Sequence, residues 1–190
     1  MASLMVMLLL PRPAAAEWQV KPFVGITFAG GTSLVDLEKA AGQANLVIGV
    51  NGSLLGEVLG LEADVSRAPG FFQAGDQQLV LASSATTFTG NIVVAMPKRM
   101  FQYTLRPYFV AGAGIIHAQI DGRFGTLHVA STLPAMDFGG GATGFLSDRL
   151  GLSWELRHFR SIGRGGLSGV SLSREQLAFW RATMAIAIRY

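Results

Sequence analysis

The chain has 190 residues, of which 50% are hydrophobic and 14% charged, with a formal net charge of +3. It has no cysteine, which excludes a disulfide scaffold, a thiol nucleophile and a cysteine-ligated metal. Its basic residues are scattered without aromatic interleaving, so there is no nucleic-acid footprint. No run approaches the roughly 18–20 apolar residues of a membrane helix, yet mean hydropathy is +0.40. The apolar residues must therefore be spread over short alternating segments, and the length suggests one domain.

Residues 1–16 read as an address. Leu4 to Leu10 is an apolar run, Pro11-Arg12-Pro13 breaks it, and Ala14-Ala15-Ala16 precedes Glu17. This is the order of a secretory signal peptide with cleavage after Ala16. Residues 1–3 carry no Lys or Arg, a departure from that pattern. No cysteine follows the cleavage site, so it is not a lipoprotein signal. The mature domain is then 17–190.

Eight strands follow, each expected from period-two alternation. Trp18, Val20, Pro22, Val24, Ile26 and Phe28 form one face of the first, against Gln19, Lys21, Phe23, Gly25 and Thr27. Residues 30–44 are expected to be a loop, with one helical turn over 33–40. Leu46, Ile48, Val50 and Leu54 mark the second strand. Leu59, Leu61, Ala63 and Val65 mark the third, with Gly60, Glu62, Asp64 and Ser66 opposite. Two carboxylates two residues apart on one face cannot meet lipid. Residues 67–83 read as a long loop, 84–96 as strand four and Pro97-Lys98-Arg99 as a short turn. Strand five spans about Tyr103 to His117, 118–133 is a third long loop, and 135–146 is a glycine-rich sixth strand. Ser147-Asp148-Arg149 is a turn. Leu150, Leu152, Trp154 and Leu156 oppose Gly151, Ser153, Glu155 and Arg157 in strand seven, and 160–175 is a fourth long, mobile loop.

The final stretch alternates most plainly. Trp180, Ala182, Met184, Ile186, Ile188 and Tyr190 face one way; Phe179, Arg181, Thr183, Ala185, Ala187 and Arg189 face the other. An even strand count, with short turns at one end and long loops at the other, predicts an all-β, eight-stranded antiparallel up-and-down transmembrane β-barrel. The faces opposite the apolar ones then line the lumen and collect Lys21, Glu62, Asp64, Arg106, Tyr108, Glu155, Arg157, Arg181 and Arg189. A barrel of eight strands is only wide enough for side chains, and buried charges must be paired. An ion-pair network without an open channel is expected. Trp18, Trp154, Trp180, Tyr103 and Tyr190 are candidates for the aromatic girdles.

Several segments resemble the outer-membrane β-barrel domain family, the porin-like or OmpA/OmpX-like small barrels. They are Leu105-Arg106-Pro107-Tyr108-Phe109-Val110-Ala111-Gly112-Ala113-Gly114, the hairpin from Gly139 to Leu152, Glu155-Leu156-Arg157-His158-Phe159-Arg160, and Phe179 to Tyr190. Within the last, Thr183, Ala185, Ile188 and Tyr190 resemble the insertion signal read by the barrel-assembly machinery, with Ala185 where Gly is commoner and Tyr190 where Phe is commoner. The resemblance implies a bacterial outer-membrane location, surrounding membrane lipid and the assembly machinery as partners, and a monomer. It implies no cofactor and no particular activity. A structural or loop-mediated interaction role without enzymatic activity is the expectation, with an unspecified extracellular ligand. The alternatives are a lipid A deacylase-like acyl hydrolase using His158, Ser161 and Glu155, and a narrow pore. His158 and Ser161 differ by an odd number and should face opposite ways on a regular strand. His117, His128, Asp121 and Asp137 could hold a metal, but loop histidines are more often solvated.

Overall fold

The computed structural model describes residues 16–32, 44–71, 80–97, 105–122, 128–162 and 177–190. The expected signal peptide, the helical turn at 33–40, Tyr103 and most of the loop at 160–175 lie outside the described residues. Eight strands close into one antiparallel barrel in sequence order. They are β1 (Glu17–Thr32), β2 (Asn45–Leu55), β3 (Leu59–Pro69), β4 (Val80–Ala95), β5 (Leu105–Gly122), β6 (His128–Phe145), β7 (Leu150–Ser161) and β8 (Leu177–Arg189). The barrel closes where β1 pairs with β8, from Gln19↔Arg189 to Thr32↔Leu177, with a bulge between Phe28 and Gly31. Ala29 sits in that bulge with φ 50°, in the left-handed region where a side chain is disfavoured. The closing strand thus absorbs an extra residue at the seam.

Closure follows from the alternation. Each strand has one face that is largely apolar and one that carries charged or polar side chains, and a closed barrel satisfies both while leaving no unpaired edge. The burial alternates without interruption along β7, where Gly151, Ser153, Glu155, Arg157 and Phe159 point in and Leu150, Leu152, Trp154 and Leu156 point out. Outward apolar residues on every strand form a belt, including Val24, Ile48, Leu61, Ile92, Phe109, Phe138, Leu156 and Ile186. Such a belt on a closed barrel is a lipid-facing surface. The start of β1 and the end of β8 lie at one end of the barrel, where the Tyr190 N–H donates to the Trp18 carbonyl at 3.0 Å.

The strand boundaries differ from expectation in three places. Residues 118–133 are not a loop: β5 and β6 continue to Gly122 and from His128, paired as far as Asp121↔His128. Each strand there satisfies the other's backbone groups, which weakly alternating side chains did not advertise. β3 and β4 likewise extend into 67–83, pairing to Pro69↔Ser84, and β1 runs past residue 30 to Thr32. As a result the connections are less cleanly segregated by length than the sequence suggests. The one across 96–104 is longer than the one across 123–127.

Candidate functional site

The lumen is built in three layers. At the end nearest the termini, Leu55, Val93, Ala95, Tyr108 and Val110 form an apolar plug. In the middle sit the charges. Above them lies a second apolar layer made from Phe23, Val47, Ile116, Leu133, Phe159, Leu177 and Phe179, capped by Phe71. Phe159 and Phe179 stack at 5.0 Å and 11°, and Phe71 meets Phe179 edge-on at 5.0 Å.

The middle layer centres on two arginines, both fully buried. Arg157 donates through Nε and Nη2 to both oxygens of Glu155 at 2.7 and 2.6 Å, through Nη2 to Glu62 at 2.5 Å, and through Nη1 to Asp137 at 3.1 Å. Arg181 forks onto Asp64 at 2.8 and 2.9 Å and donates to Ser66 Oγ at 2.9 Å. Glu155 also accepts from Arg181 at 3.4 Å, so it bridges the two guanidinium groups. Planar forks of this kind are what a guanidinium does better than an ammonium. The Arg181 guanidinium lies between the Phe23 and Phe159 rings at 4.7 and 4.8 Å, so the ionic layer is welded to the aromatic one by cation–π contact. Below, Lys21 Nζ lies 4.9 Å from the Tyr108 ring centre, and Tyr108 Oη donates to Glu155 at 3.0 Å.

Glycines make the room. A Cβ on Gly139 would stand 2.7 Å from Arg157 Cγ, and one on Gly141 would stand 2.8 Å from Tyr108 Oη. Both glycines face inward on β6. Only a residue without a side chain lets Arg157 and Tyr108 lie flat against the wall.

Of the residues expected in this network, Lys21, Glu62, Asp64, Tyr108, Glu155, Arg157 and Arg181 are brought together. Arg106 and Arg189 are not. Arg106 turns to the rim beside the termini and donates to the carbonyls of Met96, Gly56 and Glu57 at 3.0, 3.0 and 2.8 Å. Arg189 donates to the Asp148 carbonyl at 2.7 Å and lies over Phe145. Both stand at strand ends, where a long side chain reaches free turn carbonyls more easily than the barrel axis. Sequence reasoning missed Asp137, Asn91 and Ser66 in the ionic layer, and it missed the aromatic layer altogether. The signal was present: Phe23, Phe159 and Phe179 each stand two residues from an inward cation, Lys21, Arg157 and Arg181.

The other candidate constellations are not assembled. Ser161 faces inward and its Oγ accepts the Leu177 N–H at 2.9 Å, while His158 faces out between Phe138 and Trp180 at 5.2 and 4.9 Å. A His–Ser pair would need both on one side of the wall. Asp137 points to Arg157, whereas His117 points outward and bonds Thr132 Oγ1 at 2.7 Å. Among the described residues no group of three or more His, Cys, Asp or Glu is placed to hold a metal. Of the girdle candidates, Trp18 and Tyr190 are exposed at the rim beside the termini, but Trp154 lies halfway along the wall. Within the terminal strand, Thr183 faces the lumen, Ala185 pairs with Phe23, Ile188 pairs with Leu150 and Tyr190 is 80% exposed.

A closed antiparallel barrel with an apolar belt outside and an ion-paired lumen defines the class: a small eight-stranded transmembrane β-barrel of the outer-membrane type. Solved structures share the fold. Neisserial surface protein A matches with a TM-score of 0.63 and 12% identity, over 92% of this chain and 97% of that one. OprG from Pseudomonas aeruginosa matches with a TM-score of 0.58 and 11% identity, over 93% and 97%. Ail, the attachment invasion locus protein of Yersinia pestis, solved in complex with the heparin analogue sucrose octasulfate, matches with a TM-score of 0.52 and 11% identity, over 91% and 99%. No protein-family model matches the sequence, and no curated protein matches it either.

Proposed function

We propose that this chain is an integral barrel of a bacterial outer membrane. Its termini face the periplasm, and the strand ends at Thr32, Pro69, Gly122 and Ser161 face outward. It acts as a structural or interaction protein that holds any partner outside the lumen and conducts no solute. The observation that carries this reading is the three-layered lumen, in which buried arginines and stacked phenylalanines occupy the axis. A channel would need a continuous wet path, and an apolar layer on each side of the ionic one opposes that. Location is supported by the apolar belt and by the outer-membrane proteins that share the fold. A binding role is supported by Ail, which holds a heparin analogue on the same architecture. Insertion uses the terminal strand as its signal, with Thr183, Ala185, Ile188 and Tyr190 read by the assembly machinery, and the inserted barrel is a monomer.

Two measurements test this. Fractionation with a boiled-versus-unboiled gel should place a heat-shifted band in the outer membrane; a soluble periplasmic band without a shift would sink the location. Purified protein in planar bilayers should give no steady conductance; a regular conducting step would instead establish the narrow-pore reading.

A further inference from the structure

The outer wall is not uniform. Across β6, β7 and β8 and the adjoining β1, with Leu46 of β2 at its far edge, a concavity of about 660 Å³ opens on the lipid-facing side, lined by Gly140, Ala142, Ala182, Trp154, Leu156 and Met184 among others. Directly beyond it, along the register Phe138↔His158↔Trp180, lies an outward aromatic row. His158 packs against both rings, and its Nδ1 is buried without a hydrogen-bond partner. Two residues further along β7 is Arg160, exposed and without a carboxylate partner among the described residues.

We infer that this track binds one phosphate-bearing membrane lipid, with an acyl chain in the concavity and the phosphate at Arg160. The inference rests on the membrane orientation proposed above. The dimensions fit. Outward positions on β7 run from Leu150 to Arg160; at about 3.3 Å per residue and a tilt near 40°, this is roughly 25 Å of depth, the height of a barrel's apolar belt. Trp154 and Leu156 then lie near the bilayer midplane, and Arg160 lies at the headgroup level of the leaflet on the outward side. The distance from the concavity to Arg160 is one leaflet, which is the reach of one acyl chain. Small residues at Gly140, Ala142 and Ala182 sink the floor, while Trp154, Leu156 and Met184 wall it. A cation with no carboxylate partner among the described residues, at the end of an apolar groove, complements an amphiphile with an anionic head, and the aromatic row stands where chain meets head. Arg67 on β3 is also outward and exposed, but it pairs with Ile48 on β2, away from the aromatic row on β6, β7 and β8, and serves as the control.

The test places the full barrel in nanodiscs of equal phosphatidylglycerol and phosphatidylcholine, releases it into mild detergent, and counts retained lipids by native mass spectrometry. The wild type should retain phosphatidylglycerol in preference. Arg160→Gln should lower that retention about fivefold, the worth of one cation near an anionic headgroup, and leave phosphatidylcholine unchanged. Ala182→Leu should lower both lipids by filling the groove, with Ala142→Leu as its replacement if the first variant loses its heat-shifted band. Arg67→Gln should match the wild type. Equal retention in wild type, Arg160→Gln and the groove variants would overturn the lipid site, as would an Arg67→Gln loss as large as that of Arg160→Gln. A wild type that never enters the nanodisc would overturn the membrane reading itself; an inserted wild type that retains no lipid overturns only the site.

Discussion

Replacing Arg157 with methionine removes the cation that holds the lumen together while keeping most of its length. In the wild type one guanidinium answers Glu155, Glu62 and Asp137 at 2.5 to 3.1 Å, and its side chain has no exposure. The middle layer holds three cations, Lys21, Arg157 and Arg181, against four carboxylates, Glu62, Asp64, Asp137 and Glu155. Arg157→Met therefore leaves four acids facing two bases. Taking one partner from a buried pair costs about 3–5 kcal/mol, because the remaining charge keeps its desolvation penalty. Three carboxylates lose a donor together here, so the upper end of that range is expected. Arg157→Lys should fall between, since an ammonium restores charge but cannot fork onto Glu155 while reaching Glu62. Adding Glu62→Gln to Arg157→Met should recover part of the loss, because it removes one uncompensated acid. The assay is urea unfolding of the barrel in lipid vesicles, followed by tryptophan fluorescence and gel mobility. An Arg157→Met variant within about 1 kcal/mol of wild type would refute the reasoning. The ion pairs would then be passengers in a barrel held by its backbone ladder and apolar layers.

Other perturbations probe the neighbouring layers. Gly139→Ala should destabilise by about 1–3 kcal/mol, since its Cβ would press on Arg157 backbone and side chain. Gly90→Ala faces open space outside and should be neutral or stabilising by about 0.5–1 kcal/mol; the same unfolding assay separates the two, and equal losses would refute the close-packing account. Phe159→Ala should cost about 3–5 kcal/mol, because it removes both the Phe179 stack and one wall of the Arg181 sandwich. A loss under 1 kcal/mol would mean the upper plug is loosely packed. Tyr190→Ala should slow assembly in cells, seen as accumulation of unshifted band, with little change in the stability of barrel that does form, since Tyr190 is mostly exposed. Normal assembly would remove its role as a signal.

Strand number, order and facing were legible because a period of two leaves no choice of face once one residue is placed. Glu62 and Asp64 on β3, or Arg157 on β7, fix the inward side of a whole strand. Which inward residues meet was less legible, because pairing across the lumen depends on strand stagger and not on alternation. Asp137 is an instance: its spacing from nearby histidines invited a metal reading, whereas the β6–β7 register sets it opposite Phe159 and diagonally beside Arg157. The aromatic layer was hidden for a different reason. Near the outward end both faces of several strands are apolar, so alternation gave the inward parity of Phe23, Phe159 and Phe179 but not that the three rings meet in one layer. Arg106 and Arg189 kept the inward parity but stand where the strand stops, and turn carbonyls captured them.

The ionic layer joins parts of the chain that are made far apart. Glu62 meets Arg157 across a separation of 95 residues, and Asp64 meets Arg181 across 117. Such long-range contacts cannot form until the intervening loops are closed. A growing sheet that has reached only β4 carries Glu62 and Asp64 on its concave side with Lys21 as the sole lumenal base. The acids are matched only when the last two strands arrive, and Arg181 is on the very strand that zips to β1. Bringing the second arginine to the acids and closing the wall are thus one event. A barrel stalled before β8 would carry its mismatch as surplus negative charge, and that charge resists transfer into the hydrocarbon of the bilayer.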